Sequence, residues 1–164
     1  MIELREIGSS PTRAARRPTR FGLVAATLVL TLVACAAVAS PPASRATPST
    51  RLVTIDGSPW RVLTAGADGM RGRADFGDAD GMLFDLGAEV APDAVAFVMD
   101  GVAVPLAIAW FAADGRLVGT DAMAPCAAEP CPRYLSPGPF RWAIEARPVA
   151  FDDLGADARL EIAP

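Results

Sequence analysis

The chain has 164 residues, 52% hydrophobic and 21% charged, which suits one globular domain plus an apolar segment and excludes a wholly disordered polymer. All 15 basic residues are Arg, and Lys, His, Asn and Gln are absent. A Ser-His-Asp triad, a histidine-based zinc site, a phosphate-loop or Schiff-base lysine and an N-linked glycan are therefore excluded.

Charge divides the chain near residue 50. Residues 1–50 hold six Arg against Glu3 and Glu6, a net of +4, whereas residues 51–164 hold nine Arg against 17 acids, a net of −8. So acidic a domain is a poor partner for duplex DNA or anionic lipid, since both select clustered positive charge. No nucleic-acid partner is expected.

From the N-terminus, Arg13, Arg16, Arg17 and Arg20 precede the 14-residue apolar run Phe21–Ala34, the basic-then-apolar order of an export signal. The run closes on Leu32-Val33-Ala34-Cys35, which resembles a bacterial lipoprotein signal and implies lipidation of Cys35. Two or more acyl chains there would hold the protein on a membrane, at about 0.8 kcal/mol per buried CH₂. Two alternatives remain open: cleavage after Ala37-Val38-Ala39, or retention of the 20 uncharged residues Phe21–Ser40 as a single-pass anchor. Residues 1–35 are thus read as signal or anchor. Residues 36–50, rich in Ala, Ser, Pro and Thr, read as a tether reaching about 45 Å if extended.

Residues 51–164 read as one β-rich domain. Leu52–Ile55 and Trp60–Thr64 flank Asp56-Gly57-Ser58-Pro59 as a hairpin. Ala94–Met99 aligns Val95, Phe97 and Met99, and Val104–Phe111 aligns Leu106, Ile108 and Trp110. The pair Asp114-Gly115 turns the chain into Leu117–Ala122. Phe140, Trp142 and Ile144 alternate with Arg141, Ala143 and Glu145, predicting one apolar and one wet face. Ala158–Ile162 supplies a last short strand, and only Ala150–Leu154 offers about one helical turn. The expected fold is mostly β with little helix, a compact barrel-like or sandwich-like domain.

Several blocks then recur in order: Gly81-Met82-Leu83-Phe84, Phe97-x-Met99, Pro105-Leu106-x-Ile108-Ala109, Asp114-Gly115-Arg116 and Pro125-Cys126-x4-Cys131-Pro132-x-Tyr134. With a shortened Gly69-Met70-Arg71-Gly72-Arg73 block, they resemble the domain of unknown function 192 family over about residues 51–162. The resemblance implies a compact β-rich domain, often exported, with no assigned reaction, substrate or cofactor. This chain departs from the family at Val98, Asp100 and Gly101, where members commonly carry Trp, Lys and Asn, and at Ala107, where an Asp often stands. Any polar site built on those positions is altered here.

Candidate chemistry is sparse. Cys126 and Cys131 sit in a proline-rich loop and suit a structural disulfide; a redox pair or a metal site are the alternatives, the latter short of two soft ligands. Asp75, Asp78 and Asp80 invite a calcium loop, but that register puts Phe76 first and Gly87 twelfth, where acids are required, so a solvated turn is the simpler reading. Asp100 and Asp121 are the carboxylates to test for glycoside hydrolysis. Trp60, Trp110 and Trp142 are candidates for a sugar-stacking platform, although alternation puts Trp110 and Trp142 on core faces. The reading that results is a membrane-anchored extracytoplasmic domain, a non-enzymatic binding or envelope-associated module with neither metal nor cofactor, its cleft expected near Asp100-Gly101 and the cysteine loop. The alternative is a carboxylate-dependent hydrolase acting on cell-envelope carbohydrate.

Overall fold

The computed structural model describes residues 2–4 and 49–163. Phe21–Ala34, Cys35 and most of the tether lie outside the described residues. Ten strands run in chain order: β1 Ile2–Leu4, β2 Thr50–Ile55, β3 Ser58–Thr64, β4 Gly81–Val90, β5 Val95–Val98, β6 Leu106–Phe111, β7 Leu117–Met123, β8 Arg133–Tyr134, β9 Phe140–Ala146 and β10 Leu160–Ile162. No helix occurs among the described residues; Val149–Asp153 forms successive turns instead of the helical turn that its composition suggests.

Seven strands make one sheet in the order β10-β2-β3-β4-β9-β6-β7, and a second, three-stranded sheet has the order β1-β5-β8. Every ladder is antiparallel except β3–β4, whose parallel pairing requires the long crossover between Thr64 and Gly81. The β2–β3 turn is tighter than the four-residue loop expected. Ile55 pairs with Ser58, and Asp56 (φ 50°) and Gly57 (φ 76°) both take the left-handed conformation that a two-residue hairpin demands.

The large sheet is strongly curled without being a closed barrel. Its ends meet through one isolated bridge, Arg116 to Arg159, flanked by Leu117 N–H donating to the Ala158 carbonyl (2.9 Å) and Leu160 N–H donating to the Gly115 carbonyl (2.8 Å). Gly115 is obligatory at this seam. Its φ is +84°, and a Cβ there would lie 2.3 Å from the Leu160 oxygen.

Two cores occupy the two faces of the sheet. Val53, Ile55, Val62, Leu83, Ala107, Ala109, Phe111, Ile144 and Leu160 fill one face, while Met82, Phe84, Leu106, Ile108, Trp110 and Ala143 face the other under Val95 and Phe97 of β5. The alternation of Leu106, Ile108 and Trp110 is therefore correct, yet the intervening Ala107, Ala109 and Phe111 are buried as well. The same holds for β9. Its predicted wet face is confined to the half-exposed Arg141, because β9 lies between β4 and β6 with a core on either side, and Ala143 and Glu145 are buried.

Candidate functional site

A hollow of about 590 Å³ opens where β6 and β7 meet the turns that follow β9. Register explains its position. Ala107 of β6 pairs with Ala122 of the edge strand β7 on one side and with Ala146, the last residue of β9, on the other. Beyond Ala146 the chain leaves the sheet, and the small side chains of Ala107, Ala122 and Ala124 leave the gap unfilled. Leu106, Met123 and Phe151 supply an apolar wall, with Thr120, Asp121 and Asp152 as the polar groups.

The outer wall is a turn held in an unusual conformation. Phe151 anchors it, 3% exposed and stacked on Trp60 with ring centroids 5.5 Å apart at 12°. Ala150 N–H donates to the Arg147 carbonyl (3.2 Å) and Asp152 N–H to the Val149 carbonyl (3.3 Å). Between these bonds Val149 has φ 61°, a left-handed conformation that is costly for a β-branched residue, while its side chain is 73% exposed at the lip.

Of the two carboxylates expected from sequence, Asp121 lines this cleft and Asp100 does not. The Asp121 carboxylate accepts a hydrogen bond from the Ala122 N–H (2.8 Å). Asp100 pairs with the Arg71 guanidinium, and Gly72 N–H donates to the Gly101 carbonyl (3.0 Å), so Asp100-Gly101 ties the crossover loop to the end of β5. Asp152, which sequence reasoning passed over, is the acid that shares the cleft with Asp121. No pattern pointed to it, because Asp152 and Asp153 sit together in a turn whose place beside β6 and β7 is set by strand pairing distant in sequence.

The remaining candidates resolve into structure. Cys126 and Cys131 are joined by a disulfide, Cα–Cα 5.3 Å, so although Glu129 lies near both sulfurs neither is a free thiolate for a metal. The cysteine loop does adjoin the cleft: Ala124, a lining residue, donates its N–H to the Tyr134 hydroxyl (3.0 Å) on the far side of that loop. Asp75 accepts from Gly77 N–H (2.9 Å) and Asp80 from Arg61 N–H (2.8 Å), which makes them turn and strand caps. No stacking platform is offered by the tryptophans: Trp110 is buried, Trp60 is covered by Phe151, and the Arg141 guanidinium sits 4.5 Å over Trp142.

One acid stands apart from all of these. Glu145 is 2% exposed, its Oε2 has no hydrogen-bond partner, and burial pushes its carboxyl up to about 7. It does not line the cleft.

The fold matches two solved structures. One is a Sinorhizobium meliloti protein described as a candidate transcription regulator, 20% identical, covering 71% of this chain and 95% of that one with a TM-score of 0.60. The other is a protein of unknown function from Novosphingobium aromaticivorans, 19% identical, covering 74% and 97% with a TM-score of 0.57. No curated protein matches the chain. Residues 62–162, from the middle of β3 to the end of β10, match DUF192, described as Uncharacterized ACR, and include the cleft, the disulfide loop and most of both cores, though not Val53 and Ile55 of β2. The chain belongs to the DUF192 family.

Proposed function

We propose that this protein is an extracytoplasmic, membrane-anchored binding module whose ligand occupies the cleft between β6, β7 and the Arg147–Leu154 turn. The observation that carries the reading is the cleft itself, an open hollow of about 590 Å³ with an apolar wall and a few polar groups, the usual make-up of a small-molecule site. The Cys126–Cys131 disulfide supports an oxidising compartment. The basic-then-apolar N-terminal segment ending at Cys35 supports export and attachment. Processing before Cys35 would also remove β1 from the edge of β5.

Hydrolysis has weaker support. Asp121 and Asp152 are both exposed, and the buried acid, Glu145, lies outside the cleft. The acidity of residues 51–164 likewise opposes DNA binding.

Two experiments test the proposal. Intact mass of the full chain extracted from membranes separates lipidated Cys35, cleavage after Ala39 and an uncleaved anchor, and a reporter fused behind Pro164 should be active only outside the cytosol. The detergent-solubilised full chain should retain a small-molecule component of the cell envelope, and Ala122→Arg, which fills the cleft from an exposed edge position, should abolish retention with the circular dichroism unchanged. Retention that survives Ala122→Arg would remove the cleft from the function.

A further inference from the structure

We propose that the edge of β5 on which β1 lies is a strand-acceptor site, and that in the exported protein it binds an extended peptide segment of a partner, added antiparallel with apolar residues at alternate positions. This surface is separate from the cleft, and its use rests on the export part of the reading above. β5 lies outside the seven-stranded sheet and covers one of its cores with Val95 and Phe97. Its ladder partners are few. β8 pairs only with Phe97 and Val98, so among the described residues Val95 and Ala96 pair with β1 alone.

Export takes β1 away. Residues 2–4 precede the four arginines at 13, 16, 17 and 20 and the apolar run Phe21–Ala34, and basic residues of this kind stay on the cytosolic side of a membrane. Cleavage before Cys35 or after Ala39 severs β1 from the domain, and an uncleaved anchor leaves it across the bilayer from β5. Each outcome vacates the same edge. What remains is Val95-Ala96-Phe97-Val98, backed by a core and with no charge or proline within the strand to blunt it. Backbone groups that had been paired with β1 then lack a partner, and an added strand supplies one.

Register states what fits. β1 seats Ile2 opposite Phe97, Glu3 opposite Ala96 and Leu4 opposite Val95. Directly opposed residues share a face of the sheet, and Val95 and Phe97 belong to the core, so the places opposite them call for apolar residues, while the place between admits a charged one. The tether is a poor substitute, because Pro41, Pro42 and Pro48 cannot donate to a ladder.

The test is fluorescence polarisation with a hexapeptide of residues 1–6, labelled at its C-terminus, titrated with three forms of the full chain in neutral detergent. These are the protein extracted from membranes, the unprocessed chain made in the cytosol, and the unprocessed chain carrying Ile2→Pro with Glu3→Pro. The unprocessed chain should bind the peptide at least about tenfold more weakly than its double-proline variant, because tethered β1 competes in cis. The cleaved, membrane-extracted protein should bind as the variant does, and the peptide should slow amide exchange at Val95 and Ala96. A peptide with the same two prolines, which lack donors on both sides of the strand, should bind none of the three. Equal binding by the unprocessed chain and its variant, undiminished binding of the double-proline peptide, or no binding by either the variant or the cleaved protein overturns the acceptor site. Protection of Val95 and Ala96 in the variant that rises with protein concentration, without peptide, means that a second copy fills the edge and overturns the partner peptide. A reporter behind Pro164 that is active in the cytosol overturns the export reading instead, and the two unprocessed forms still decide whether the edge accepts a strand.

Discussion

Asp121 and Glu145 flank the same residue. Ile108 of β6 is directly opposite Asp121 on β7 and directly opposite Glu145 on β9, so the two acids share one row and one face of the sheet. Neighbouring strands lie about 4.8 Å apart, which puts only two strand spacings between their backbones. Their fates differ completely. Asp121 stands on an edge strand and is exposed, whereas Glu145 lies between β4 and β6, opposite Met82, beneath the core that β5 covers. Position in the sheet order, and not residue type, decides whether a carboxylate in this row is a solvated surface charge or a buried group pushed up to about 7.

The largest effect should come from removing the buried charge. The Glu145 carboxyl is raised when folded, from 4.5 to about 7, so the native state binds its proton more tightly than the unfolded chain. Stability should accordingly be greatest below about pH 4.5 as far as this group is concerned, and fall as pH rises toward and past 7. Glu145→Gln should abolish that slope and make the protein more stable than wild type above pH 8, by about 3 kcal/mol at 1.36 kcal/mol per pH unit, in urea unfolding followed by tryptophan fluorescence. A wild-type midpoint that does not move between pH 5 and 8.5 would contradict the buried, strained state of this acid.

Next in size is the disulfide beside the cleft. Cys126→Ser with Cys131→Ser should lower stability by about 2 kcal/mol, the entropy of closing so short a loop, and should broaden the resonance of Ala124, which is tied to Tyr134 across it. Equal midpoints with and without reductant would show that the loop is held by its prolines alone.

Val149→Gly should go the other way. Glycine takes φ near 60° without cost, and so exposed a valine has little packing to lose, so a gain of about 1 kcal/mol is expected. Retention of the envelope component should fall in the same variant if the strained turn holds the lip in place. The smallest effect completes the comparison: Asp121→Asn should change stability by less than about 0.5 kcal/mol at any pH from 5 to 8.5, as a solvated edge residue does. A loss as large as that expected for Glu145 would erase the distinction between edge and centre.

Much of the fold was legible from local pattern. Gly57 and Gly115 marked their hairpins because each turn needs a left-handed residue, and the alternation of Leu106, Ile108 and Trp110 reported one core face correctly. Where the reading failed, the cause was a neighbour distant in sequence. Alternation in β9 suggested water on the Glu145 side, but beyond Arg141 the strand is flanked on both edges and covered on both faces, which buries Ala143 and Glu145. The ten-residue β4 showed itself only through the Gly81–Phe84 block, since its second half bends after Asp85, whose carboxylate accepts from Gly87 N–H (2.8 Å), and pairing resumes only at Val90. Asp152 joined Asp121 in one cleft because Ala107 pairs with Ala146, a relation between β6 and β9 that no short-range spacing encodes.

Composition, charge division and alternation were enough to establish a β-rich, acidic domain behind a basic and apolar N-terminal stretch of sequence, because those properties act over a few residues at a time. Tertiary structure decided which acids meet solvent, which meet an arginine and which is buried between strands. Those outcomes depend on strand order and register, and strand order arises from pairing between segments tens of residues apart, whose free energy belongs to the assembled sheet and to no single stretch of chain.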